Sequence, residues 1–266
     1  MNQPRIMGVL NVTSDSFSDG GLWLNPDEAI RHARKMQKEG ADIIDVGGES
    51  TRPGAQAVPL QQELDRVIPV IEAITSELSV SVSIDSSKPE VMRAAVAAGA
   101  GMINDVFALQ FDGAVQAAAD LVVPVCLMHM QGQPRAMQDE PHYADVAAEV
   151  KAFLLQRAKQ CEVNGIRREN IILDPGFGFG KTLQHNLELF HALPSLVATG
   201  YPILVGVSRK AMIGRLTGRQ TEERMPGSIT AAALAVINGA SIVRVHDVAE
   251  TRDALKIAKA LWATRM

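Results

Sequence analysis

Asp174 closes a run of three apolar residues, Ile171, Ile172 and Leu173, and opens a turn carrying Pro175, Gly176, Gly178 and Gly180 before Lys181. A carboxylate where a buried parallel strand stops stands at the mouth of an α/β sheet, where ligands bind. Glycines there let backbone approach a ligand closely. Alone, the stretch reads as an ordinary strand–turn–helix joint, but the chain repeats the arrangement. Asn11, Asp45, Asp85, Asn104, His129, Ser208 with Arg209 and Lys210, and Arg244 with His246 each follow or end a short apolar run. Arg244 and His246 are two apart in a strand pattern and so share a face. Any single member reads as a strand re-entering water. Asp45 and His129 are best read that way, His129 as a satisfied, half-buried histidine between two methionines. The set as a whole reads as a two-part site. Asp85, Asn104 and Asp174 suit a planar, nitrogen-rich ring, because carboxylates and amides pair with ring N–H and amino groups. Lys210, Arg244 and His246 suit an anion such as a phosphate. Asn11, Thr13, Asp15 and Asp19 offer hard oxygen ligands, which suit Mg²⁺ rather than Zn²⁺.

The elements that must position these groups alternate. Apolar runs at 6–12, 42–46, 80–84, 102–103, 122–128, 171–173, 203–207 and 241–245 read as buried strands. Helical patterns at 60–77, 88–98, 111–119, 143–164, 183–193, 226–238 and 247–263 lie between or after them, and Asn25-Pro26-Asp27-Glu28 opens a further helix that ends at Gly40. Eight such units with no composition break predict a single-domain α/β protein spanning residues 1–266, a (β/α)₈ TIM barrel. An open doubly wound sheet is the alternative, although its glycine-rich fingerprint is missing after the first strand. Residues 12–21 and 47–59 are long for strand-to-helix connections and rich in Gly, Ser, Thr and Asp, and read as a pair of lids over the mouth.

Apolar residues make up 47% and aromatics 4%, so the core must be mostly aliphatic, as in parallel sheets covered by helices. A net charge of −4 with scattered Lys and Arg argues against a nucleic-acid partner. No apolar run reaches the length of a membrane span or a signal peptide, and Cys126 and Cys161 have no paired or metal-type spacing. A cytoplasmic protein is the natural reading.

Seven stretches carry a resemblance: NVTSDSFSDGG (11–21), DVGGESTRPGA (45–55), SIDSSKPEV (83–91), LMHMQGQP (127–134), LDPGFGFGK (173–181), GVSRK (206–210) and RVHDV (244–248). In order and with none missing, they resemble the dihydropteroate synthases of bacterial folate biosynthesis, a TIM-barrel family. The resemblance implies condensation of (7,8-dihydropterin-6-yl)methyl diphosphate with 4-aminobenzoate, with Mg²⁺ as cofactor and a homodimeric enzyme. It implies a pterin pocket of Asp85, Asn104, Asp174 and Lys210. It places the diphosphate at Asn11 (through Mg²⁺), Arg244 and His246, and the aminobenzoate at Thr51, Arg52, Pro53 and Ser208. It gives the catalytic work to Asp85, Asp174, Lys210, Arg244 and His246, through a dissociative route with a pterin-centred cation. Two residues depart from the family pattern: Ser14 stands where proline is usual, freeing one φ angle in the first loop, and Ser86 where threonine is usual.

Two rivals are distinguishable from the residues. A pterin-dependent methyltransferase would share the barrel and the pterin pocket but lack the Ser-Thr-Arg-Pro-Gly loop at 50–54. A non-catalytic pterin binder would show damage at Asn11, Asp85, Lys210, Arg244 or His246, and all five are intact.

Overall fold

The computed structural model describes residues 4–13, 26–50, 57–132 and 141–263. Strands and helices alternate from β1 (Arg5–Asn11) and α1 (Pro26–Glu39) through β2 (Ile43–Gly47), α2 (Leu60–Glu77), β3 (Ser81–Asp85) and α3 (Pro89–Ala97). They continue with β4 (Met102–Asp105), α4 (Ala114–Leu121), β5 (Val125–Met128), α5 (Val146–Val163) and β6 (Ile171–Asp174). After α6 (Leu183–His191) and α7 (Leu193–Val197) come β7 (Leu204–Val205), α8 (Ala211–Thr217), α9 (Met225–Ile237), β8 (Ile242–Val245) and α10 (Val248–Ala263).

The eight strands run in the order β6-β5-β4-β3-β2-β1-β8-β7, with every pair parallel. A parallel bridge from Leu173 to Ile203, with the Leu173 N–H donating to Pro202 O at 2.9 Å, brings β6 onto β7 and closes the barrel. Closure removes the exposed sheet edges that an open arrangement would leave. This bears out the (β/α)₈ TIM barrel expected from the alternation.

Period-2 alternation sorts side chains into an inner and an outer set. The outer set packs under the helices in one large aliphatic cluster that includes Ile6, Ile44, Ile84, Ile103, Leu127, Leu173 and Val243. The inner set forms a separate apolar plug of Met7, Ile43, Met102, Cys126, Ile172, Leu204 and Ile242. The barrel is therefore filled, and only its mouth is available to a ligand.

Most element boundaries fall within two residues of the sequence reading; the helix read from Tyr143 starts at Val146, and three further local features differ. The fifth strand begins at Val125 rather than Val122, because Val122 takes a left-handed conformation (φ 55°) that ends α4 and leaves its side chain 60% exposed. The helix before it starts at Ala114 rather than Phe111. Two short helices, α7 and α8, were not expected; seven residues or fewer carry too little periodicity to register in sequence.

Candidate active site

Stepping two residues along each inner face from the apolar plug lands on Val9, Asp45, Asn104, Met128, Asp174, Gly206 and Arg244. The plug is thus roofed by a layer of charge and amide. β3 joins this layer through Asp85, which is in register with Asn104 on β4. One further step gives Asn11, Gly47, Ser208 and His246 at the rim. The alternation also explains what stays out of the site. Asp105, next to Asn104, faces outward and accepts hydrogen bonds from Phe107 N at 2.8 Å and Leu109 N at 2.7 Å, with Ser87 Oγ as a third donor. It shapes a tight turn in which Ala108 and Leu109 have positive φ.

Arg244 binds the acidic wall together. Its Nε donates to Asp45 Oδ2 at 2.7 Å and its Nη2 to Asp85 Oδ2 at 2.8 Å, while Asn104 Nδ2 donates to the same Asp45 oxygen at 3.0 Å. Asp45 is fully buried, and its Oδ1 has no hydrogen-bond partner. Burial pushes the Asp85 carboxyl up to about 7, opposed by Arg244 and reinforced by Asp45. For Arg244, burial alone would weaken proton binding, but Asp45 and Asp85 outweigh it and hold the guanidinium cationic.

The second wall comes from β6, β7 and the glycine turn. Asp174 is buried, and its Oδ1 accepts from Gly176 N at 2.7 Å. Burial raises its pKa, countered by Lys210, the Gly176 N–H, Lys181 and Arg244. Lys210 Nζ donates to Phe177 O and sits 4.4 Å from the centroid of the Phe179 ring. Burial lowers Lys210 to about 8, with Asp174 working against that shift. The turn packs backbone to backbone on the end of β5: at Gly176, with φ 68°, a Cβ would stand 1.9 Å from His129 O. Only glycine fits there. Asp174, Lys210 and Arg244 each act electrostatically on one another, and with Asp45 and Asp85 all but Lys210 also act on Cys126 in the plug beneath. Asp85, Asp174, Lys210 and Arg244 therefore stand near one another at the strand ends that form the mouth.

At the rim, Ser208 Oγ lies 3.0 Å from His246 Nδ1 and accepts from His246 N at 3.2 Å, joining β7 to β8. Between them, Arg209 adopts a positive φ of 58°, donates its backbone N–H to Ser228 Oγ at 2.8 Å and pairs with Asp247. This sharp bend turns Ser208 and Lys210 toward the mouth. Across the rim, a Cβ placed on Gly47 would stand 3.7 Å from Asp85 Oδ2 and 3.8 Å from Asn11 Oδ1. Asn11 and Asp85 thus flank a residue that contributes no side chain. Asn11 Oδ1 is a hard donor of the kind that Mg²⁺ takes, whereas Asp85 Oδ2 is already held by Arg244 Nη2. Among the described residues, no group of three or more His, Cys, Asp or Glu gathers to hold a metal by itself.

The structure thus brings together Asn11, Asp85, Asn104, Asp174, Ser208, Lys210, Arg244 and His246. Thr51, Arg52 and Pro53, and Ser14 in the first loop, lie outside the described residues. Sequence reasoning missed three residues that build the walls of the site. Asp45 reads as a strand-exit carboxylate but is the buried anchor of Arg244 and Asn104; the signal available was its two-residue offset from the plug residue Ile43. Phe179 and Lys181 reads as turn residues, although Phe179 carries the ring beneath Lys210 and Lys181 is almost wholly buried.

A family model described as pterin binding enzyme matches residues 7–246. A curated dihydropteroate synthase of Escherichia coli (strain K12) is 50% identical over 265 residues, covering 100% of this chain and 94% of the relative. Among solved structures, a Xanthomonas albilineans dihydropteroate synthase with 4-aminobenzoic acid aligns with a TM-score of 0.93 and 54% identity, covering 98% of this chain and 94% of that one. A structure from the same organism in complex with 7,8-dihydropteroate aligns with a TM-score of 0.89 and 50% identity, covering 98% and 95%.

Proposed function

The chain belongs to the pterin-binding enzyme family, among its dihydropteroate synthases, and from that premise we propose how its barrel mouth carries out their condensation. The reaction joins (7,8-dihydropterin-6-yl)methyl diphosphate to 4-aminobenzoate, giving 7,8-dihydropteroate and diphosphate in folate biosynthesis. The C–O bond to diphosphate breaks, the arylamine nitrogen forms the new C–N bond, and that nitrogen loses a proton.

We assign the pterin ring to the space between the two walls, with Asp85, Asn104 and Asp174 accepting from or donating to its nitrogen edge and Lys210 over its oxygen. The observation that carries this reading is the grouping, at the C-terminal strand ends, of two buried carboxylates, an amide, a lysine and an arginine. As diphosphate departs, positive charge develops on the ring, and preorganised carboxylates stabilise it. Arg244 and His246 face the departing anion. Asn11 would hold Mg²⁺, which when bound supplies positive charge to the leaving group. Ser208 and the 51–53 segment are assigned to the aminobenzoate, which needs no activating base because an arylamine is already nucleophilic.

The test is diphosphate release by the purified protein. Both organic substrates together with Mg²⁺ should release diphosphate and form 7,8-dihydropteroate, and chelating the metal should lower the rate at least about ten-fold. No release with both substrates present would overturn the reading.

We also infer a cytoplasmic homodimer. No described helix is long and apolar enough to cross a membrane, and both cysteines are buried and free, which supports a reducing compartment. Leu234 on α9 and Ile257 on α10 are 46% and 61% exposed, which supports burial against a second copy. Sedimentation equilibrium should return twice the chain mass; a monomer at micromolar concentration would remove the dimer.

A further inference from the structure

Lys181 ends the glycine turn and takes no part in the chemistry above, yet it is only 2% exposed. Its amine is fully engaged, and burial lowers it to about 7, with Asp174 working against that shift. Nζ lies 3.0 Å from His129 Nδ1 and donates to Gly176 O at 2.9 Å and Phe179 O at 3.0 Å. None of these three partners is a carboxylate. An ammonium has three donors and no acceptor, so His129 must present an unprotonated Nδ1 to it. Burial lowers His129 to about 3, with Lys181 adding to the effect, as two neighbouring buried cations would require.

Burying an amine that can carry charge, with no carboxylate in contact, is expensive, and Asp174 is the group that favours its charged form. What the clasp holds is specific. The two carbonyls on Lys181 belong to Gly176 and Phe179. Gly176 donates its N–H to Asp174, and the carbonyl between them, on Phe177, accepts from Lys210. Phe179 also supplies the ring beneath Lys210. His129, the third partner, ends β5, against which the turn packs with no room for a side chain at Gly176. The charge reaches the same place, since Lys181 favours the ionised form of Asp174.

We propose that Lys181 is a positioning residue for the pterin wall: its amine ties the turn after β6 to the end of β5, and so sets both Asp174 and Lys210 against the ring. The inference rests on the reading of the mouth as a pterin pocket. It assigns Lys181 no role at the opposite wall, where Arg244 and His246 face the anion.

The experiment is binding without turnover, by calorimetry, with 6-hydroxymethylpterin and, separately, inorganic diphosphate with Mg²⁺. Lys181→Met should weaken 6-hydroxymethylpterin at least ten-fold and leave the diphosphate Kd within two-fold of the unaltered protein. A pterin Kd within two-fold of the original in the folded variant, or equal losses for both ligands, would overturn the proposal. If Lys181→Met does not fold, Lys181→Gln, which keeps an amide donor for the Gly176 and Phe179 carbonyls, carries the same comparison. Failure of both variants to fold would assign Lys181 to the fold alone and overturn the proposal too. Absence of pterin binding by the unaltered protein would instead overturn the pocket reading, and this inference with it.

Discussion

Replacing Asp85 with asparagine is expected to lower kcat by about 10²–10³-fold, the loss typical of removing one preorganised group that stabilises charge developing in a transition state. The substitution keeps the size and planarity of the side chain and an oxygen for Arg244 Nη2, so the wall stays in place. What disappears is a full negative charge in a buried setting, where it acts with little screening. The arylamine does not touch this residue in the proposed arrangement, so the KM for 4-aminobenzoate should stay within about two-fold, as expected when an interaction is made only in the transition state. Steady-state diphosphate release would show both numbers. Unchanged kcat would remove the electrostatic account of catalysis. The same carboxylate should appear in the pH profile. Burial raises Asp85 to about 7, so kcat/KM for the pterin substrate should fall as pH drops below that value and the carboxylate takes a proton. Burial lowers Lys210 to about 8, so a second fall is expected above that pH as the ammonium loses its proton. Asp85→Asn should lose the acidic limb and keep the basic one.

The largest effect on stability is expected from Arg244→Met. It leaves Asp45 and Asp85 in a buried layer without their shared cation, and Asp45 would keep only Asn104, since its Oδ1 has no partner already. Removing one partner of a buried charge pair typically costs about 3–5 kcal/mol. For a domain of this size that is a fall in Tm on the order of 10 °C. The sign with pH follows from the direction of the shift. Asp85 is already raised above its unfolded value, and loss of Arg244, which opposes that shift, raises it further. A carboxyl raised in the folded state takes up a proton on folding, so its contribution is present at low pH and is lost as pH rises through the folded value. The deficit of Arg244→Met should therefore be larger at pH 8 than at pH 5. Asp45→Asn in the same background should recover part of it, because it removes one unpaired charge. Thermal unfolding of the four proteins of that cycle, at both pH values, measures the coupling directly. Additive losses would mean that Arg244 does not anchor this layer.

Several parts of the site were legible before any coordinates. Asp85, Asn104 and Asp174 announce themselves because each ends an apolar run, and a run too short and aliphatic to be anything but a buried strand delivers its last residue to the mouth of a parallel sheet. His129 stands at such an end as well, but the turn after β6 sits over it, and it became a partner of Lys181 rather than a ligand group. Arg244 reads as a strand-end residue from its place in the eighth apolar run, yet its partners cannot be read, since Asp45 and Asp85 lie 199 and 159 residues away along the chain.

By itself, the order of residues determined the alternation of strand and helix, the count of eight units and the ring of polar groups at the strand ends. Those depend on local periodicity and on which side chains can leave water. Only the tertiary structure decided which of these groups share a layer, that Asp45 lies beneath Asp85, and that Lys181 is buried under the turn it closes. The reason is physical: parallel register and barrel closure set how far each strand slides past its neighbour, and contacts across the barrel join residues whose separation in sequence carries no information about their distance.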